Sequence, residues 1–148
     1  LHTGSWHAEH SSLHLQPLPN PSTMINLGVV FPNFSAVSTD GPIKLHSYLG
    51  DNWGIIFSHL SDYTPVCSTE LGTVAKRMPE FTKRNVKVIA ISCDSVGDHL
   101  GWIKDVQAYN NLTVDFPYPI ISDPDRYLAV TLGIIDPDEK TDSGMPLT

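Results

Sequence analysis

The sequence predicts an α/β domain whose helices cover one sheet, and three observations carry that prediction. Val86-Lys87-Val88-Ile89-Ala90-Ile91-Ser92 is nearly continuous in apolar character, as expected of a strand buried on both faces. Leu71, Val74, Met78 and Phe81 recur at steps of three and four, the spacing of one helix face. Strand-like and helix-like segments alternate along the chain without an internal repeat, which is the pattern of the α/β class.

Taken in order, residues 1–23 have no periodicity, are rich in Ser, His and Pro, and contain no Lys or Arg. A secretory signal needs a basic start and an apolar block, and a mitochondrial presequence needs Arg, so neither pattern fits. His7, His10 and His14 could share a helical face and bind a metal, but nothing else there would order a helix, so residues 1–23 read as a disordered or non-native tail. The domain is expected over 24–148, with Met24 as a candidate start. Leu27 to Phe34 reads as an extended entry segment and Asp40-Gly41-Pro42 as a turn. Ile43, Leu45 and Ser47 alternate with polar neighbours, as in a short strand. Ile55 to Leu60 is a second strand.

A helix follows from Thr64 to about Arg84 and contains Pro79, which cannot donate to the carbonyl of Ala75 and should kink it. After the Val86–Ser92 strand, Ser95 and Asp98 form a capping pattern for a helix whose buried stripe is Trp102, Ile103, Val106 and Tyr109. Tyr118 to Ser122 reads as a further short strand, and Arg126 to Leu132 as a short helix stopped by Gly133.

With 148 residues, the chain has the length of one domain with one core. Its net charge of −7 argues against nucleic acid or an anionic membrane surface as a partner, since both call for basic patches. No apolar run is long enough to span a bilayer. The two cysteines, Cys67 and Cys93, form no C-x-x-C pair, which excludes a dithiol motif and a Cys-based zinc site. A disulfide between them is allowed by spacing, but sparse cysteine favours a reducing, cytoplasmic compartment. The tripeptides Asn33-Phe34-Ser35 and Asn111-Leu112-Thr113 fit the glycosylation pattern and read as unused without a secretory signal.

The chemistry converges on Tyr63-Thr64-Pro65-Val66-Cys67-Ser68-Thr69-Glu70-Leu71-Gly72. Thr64 suits a helix N-cap, and Pro65 suits the first turn, where a missing N–H costs nothing. Cys67 lies in that first turn, among backbone N–H groups without an intrahelical partner. Those groups and the positive end of the helix dipole favour a thiolate. Cys67 is also in register with Leu71, Val74 and Met78, so its sulfur is expected at the edge of the core. A buried cysteine is most often inert, but Thr64 and Pro65 make this niche small and polar.

Thr64-Pro65-Val66-Cys67-Ser68-Thr69-Glu70-Leu71-Gly72 resembles the active-site signature of the peroxiredoxins, and Gly50 to His59 resembles their one-cysteine, peroxiredoxin 6-like branch. The resemblance runs from about Leu27 to the last residue. It implies a thioredoxin-like fold, of which the two further central strands would lie past Thr148, so the chain is expected to be an N-terminal fragment. It implies a thiol peroxidase acting on hydrogen peroxide and organic or lipid hydroperoxides, with Cys67 as the nucleophile that becomes a sulfenic acid. Thr64 would contact the bound peroxide, Pro65 would shield the sulfur, His59 matches a family histidine near the sulfur, and Glu70 would orient an arginine. No cofactor or metal is implied; an external thiol such as glutathione would serve as reductant, and a homodimer as assembly. Cys93, at the end of a buried strand, is expected to be structural.

Magnitudes show what the motif lacks by itself. Lowering a thiol pKa from about 8.5 to about 6 requires roughly 3.4 kcal/mol of preference for the anion. A helix N-terminus supplies about 0.3–1 kcal/mol, and near 2 at most. The remainder calls for a cation, which the resemblance places on a strand just past Gly144-Met145-Pro146; Arg126 is the nearest substitute within the chain. The alternative reading is a truncated, non-catalytic chain that binds a full-length subunit. The same branch carries a lipase-like activity on a serine in Gly-Asp-Ser-Trp-Gly. The matching stretch here is Gly50-Asp51-Asn52-Trp53-Gly54, and although His46 matches the family's histidine, Asn52 cannot act as that nucleophile, so no phospholipase activity is expected.

Overall fold

A computed structural model describes residue 25, residues 27–136, and residues 138, 140 and 144. The tail at 1–23, with His7, His10, His14, and the Met145-Pro146 pair lie outside the described residues. The described elements are β1 (Ser35–Ser38), β2 (Gly41–Lys44), α1 (Leu45–Leu49), β3 (Trp53–Ser58), α2 (Pro65–Thr82), β4 (Val86–Ser92), α3 (Val96–Tyr109), β5 (Ile120–Ser122) and α4 (Tyr127–Thr131). They form an α/β fold around one five-stranded sheet in the order β2-β1-β5-β4-β3. β4 pairs in parallel with β3 and β5, while β1 pairs antiparallel with β2 and β5.

The alternation of β4 explains its run of apolar residues. Val88 and Ala90 point to one face, where Leu71 and Ala75 of α2 and Trp102 and Val106 of α3 complete a core cluster with Cys67. Ile89 and Ile91 point to the other, packing with Phe34, Ile43, Leu45 and Leu128. Both faces of β4 are thus covered, by α2 and α3 on one side and by the entry segment, α1 and α4 on the other. β3 is an edge strand on which Trp53 is 77% exposed.

Several sequence expectations are corrected. The strand drawn through Ile43, Leu45 and Ser47 ends at Lys44, and Leu45 starts a one-turn helix because its side chain is drawn into the core at 1% exposure. Residues 35–38, beyond the expected entry segment, form β1, a short strand whose period-two signal is only four residues long. β3 ends at Ser58, not Leu60. As expected, α2 contains Pro79, whose ring is exposed, but it ends at Thr82 and not at about Arg84. The α3 capping box is present, with Asp98 N–H donating to Ser95 Oγ at 3.2 Å. The α3 stripe is shifted: Tyr109 is 69% exposed, and His99, three residues before Trp102, takes the inward position at 0%. No described helix is long and apolar enough to cross a membrane.

Candidate active site

The parallel pair β3–β4 delivers two loops to one end of the sheet. The β3–α2 loop carries His59, Asp62, Tyr63 and Thr64, and the loop after β4 carries Cys93 and Asp94. Parallel strands place their carboxyl ends side by side, so residues that follow β3 and β4 converge there.

The cysteine lies where the sequence reading put it. Pro65 is the first residue of α2, and Cys67, two residues on, is 8% exposed and part of the core cluster that includes Trp102. The first turn is held from three sides. Ser68 Oγ donates to the Thr64 carbonyl at 2.8 Å, Trp102 Nε1–H donates to Ser68 Oγ at 2.9 Å, and Asn110 Nδ2–H donates to the Ser68 carbonyl at 3.0 Å. Asn110 can come this close because residue 72 is glycine; a Cβ there would meet the Asn110 side chain at 1.9 Å.

Thr64 departs from expectation in one respect. Its backbone has the extended conformation of an N-cap, but its hydroxyl donates to the Ser61 carbonyl at 3.0 Å and caps no helical N–H. The hydroxyl instead closes the loop onto the Ser61 carbonyl. Glu70 is exposed and makes no ion pair among the described residues. Arg126, the substitute cation, sits against Cys93, at the left-handed N-cap of α4. Burial pushes the Cys93 thiol up, the Asp123 carboxylate adds to this, and Arg126 partly offsets both. Both cysteines are free thiols, so the disulfide permitted by spacing is not formed.

His59 is buried and joins a set of polar groups that the sequence reading missed. Its Nε2 meets Asp62 Oδ1 at 2.8 Å, and its ring lies 5.1 Å from that of Trp102. The other carboxylate oxygen of Asp62 meets His99 Nδ1 at 2.6 Å, and His99 Nε2 meets the Ile121 carbonyl at 3.2 Å. The Asp62 N–H donates to Asp94 Oδ2 at 3.0 Å, which also accepts from Ser92 Oγ at 2.7 Å. Burial alone would raise the Asp62 pKa, but the hydrogen bonds from His59 and His99 outweigh it and hold the carboxyl below its usual range. A histidine in the buried register of α3 was the available clue.

The stretch matching the lipase-like site behaves as scaffold. Asn52 Nδ2 donates to the Leu49 carbonyl at 2.9 Å, and His46 Nε2 meets the Phe31 carbonyl at 2.8 Å.

A family model described as AhpC/TSA matches residues 27–147. The chain belongs to that family. It is 60% identical over 124 residues to peroxiredoxin-6 of Gallus gallus and 59% identical to that of Homo sapiens, covering 82% of this chain and 55% of each relative. Among solved structures, a mutant of peroxiredoxin 6 from Arenicola marina superposes with a TM-score of 0.77 at 56% identity, covering 84% of this chain and 56% of that one. A yeast mitochondrial one-cysteine peroxiredoxin, described as resolved through glutathione and thioredoxin systems, superposes with a TM-score of 0.73 at 42% identity, covering 76% and 53%. The chain therefore spans about half the length of the relatives it matches, and the α/β architecture is that of the peroxiredoxins, consistent with a thioredoxin-like fold.

Proposed function

We propose that this chain is the cysteine-bearing part of a one-cysteine thiol peroxidase. The observation that supports it best is the position of Cys67, buried in the first turn of α2 directly after Thr64-Pro65-Val66. The Cys67 thiolate attacks one peroxide oxygen, the O–O bond breaks, and the departing oxygen takes up a proton to leave as water or an alcohol. The sulfur is oxidised to a sulfenic acid and the peroxide is reduced. Hydrogen peroxide and organic or lipid hydroperoxides are the substrate class.

A first external thiol, such as glutathione, condenses with the sulfenic acid to a mixed disulfide and releases water. A second thiol attacks that disulfide and regenerates Cys67. Cys93 is not the resolving group: it sits against Arg126 on the α4 side, and burial disfavours its thiolate. In this reading Thr64 contacts the bound peroxide, Pro65 shields the sulfur, His59 serves near it, and Glu70 orients a cation. The assembly is a homodimer, the compartment cytoplasmic. Asn52 leaves no phospholipase nucleophile.

The second-order rate of peroxide consumption by the full-length protein tests this reading. A rate far above that of free cysteine supports it. A rate no better than free cysteine favours a non-catalytic subunit.

A further inference from the structure

The His59–Asp62–His99 bridge poses a proton-counting problem with one economical solution. A carbonyl oxygen only accepts, so the 3.2 Å contact from His99 Nε2 to the Ile121 carbonyl requires a proton on Nε2. A carboxylate also only accepts, so the 2.6 Å contact to Asp62 requires a proton on His99 Nδ1. With both nitrogens donating, the ring of His99 is the imidazolium. His59 then donates its Nε2–H to Asp62 Oδ1 at 2.8 Å. Its Nδ1 is buried and has no hydrogen-bond partner among the described residues.

The spacing within the cluster is that of hydrogen-bonded groups, closer than ligands around a bound metal. The ligand atoms of His59, Asp62, Asp94 and His99 lie within 4.8 Å of one another, yet the two imidazole–carboxylate contacts are only 2.8 and 2.6 Å. Ligands about 2.0–2.1 Å from a tetrahedral zinc stand roughly 3.3 Å apart. The observed separations are those of groups sharing a proton.

We propose that His99 is a positioning residue of the cysteine site: as an imidazolium it pairs with Asp62, which holds His59 in its Nε2–H tautomer and leaves Nδ1 as a bare proton acceptor. The inference rests on the peroxidase reading only for its consequence, since the protonation pattern stands apart from it. Among the described residues, the titratable groups clustered with His99 are Asp62 and His59 from the β3–α2 segment and Asp94 from the loop after β4; β5 presents the Ile121 carbonyl. The same Asp62 anchors its own N–H to Asp94, so the bridge also ties the loop that ends at Thr64 to the neighbouring loop.

Nitrogen NMR of the full-length protein labelled with 15N-histidine tests this at pH 7 without peroxide. The expected pattern is two protonated ring nitrogens on His99, with Nε2 protonated and Nδ1 bare on His59. One bare nitrogen on His99, or a proton on His59 Nδ1, would overturn the proposal whether or not the protein reduces peroxide. In a folded His99→Gln variant, His59 should become a mixture of tautomers and peroxide consumption should fall about tenfold, the effect of losing a hydrogen bond to a charged group. A fixed His59 tautomer or an unchanged rate would contradict the positioning role. If that variant does not fold, Asp62→Asn serves: His99 should lose one ring proton, and a His99 that keeps both would contradict it equally.

Discussion

Trp102 of α3 donates its indole N–H to the hydroxyl of Ser68, the residue after the candidate nucleophile, at 2.9 Å. Ser68 passes a hydrogen bond on to the Thr64 carbonyl, so one hydroxyl couples the first turn of α2 to the buried face of α3. Ser68→Ala leaves the indole N–H of a fully buried tryptophan without its acceptor. Such an orphan costs about 1–3 kcal/mol, and urea unfolding of the variant should show a loss in that range. A loss below about 0.5 kcal/mol would mean that the contact is incidental.

Gly72→Ala probes the close approach of the two helices. The added methyl would lie 1.9 Å from the Asn110 side chain, which is itself bonded to the Ser68 and Val106 carbonyls and has little room to retreat. Overpacking of this kind costs about 1–3 kcal/mol, outweighing the roughly 1 kcal/mol that alanine gains over glycine in a helix. Thermal melts should show Gly72→Ala less stable than the parent, and Asn110→Ala in the same background should recover part of the loss. A stabilised single variant would refute the packing argument.

The site was legible where its chemistry is local and illegible where it is tertiary. Cys67, Thr64 and Pro65 are adjacent in sequence, and a helix start imposes their arrangement, so reading the residues placed them correctly. β4 was likewise readable, because its apolar run reflects burial on both faces, whereas the four residues of β1 gave too short a pattern. Leu45 misled because one apolar residue at a strand-like spacing does not distinguish a strand from the first residue of a short helix. Thr64 takes the expected N-cap position, but its hydroxyl goes to the Ser61 carbonyl instead of a helix N–H, a choice that local N-cap preference does not reveal. Asp62 and His99 are 37 residues apart, and no local pattern joins them.

Acid unfolding should report on Asp62. Its folded pKa is lowered below the ordinary 3.8, so its stabilising contribution is present above that value and is lost as the pH falls through the folded pKa. The stability difference between the parent and Asp62→Asn, measured by urea unfolding from about pH 5 to about pH 3, should narrow as the pH falls below about pH 4. A difference independent of pH over that span would show that the carboxylate charge contributes nothing.

Cys93 should behave as a poor nucleophile. Burial pushes its thiol up, and the Asp123 carboxylate reinforces this. In a Cys67→Ser variant, iodoacetamide at pH 8 should alkylate Cys93 at least several-fold more slowly than free cysteine, because less of it is thiolate. Alkylation as fast as free cysteine would reopen its assignment as a structural residue.

The central claim is that Cys67 is the sulfur that meets peroxide. One equivalent of hydrogen peroxide, added to the full-length protein in the presence of a sulfenic-acid trap and followed by peptide mass spectrometry, addresses it directly. The account predicts the adduct on Cys67 and none on Cys93; an adduct confined to Cys93 would contradict it.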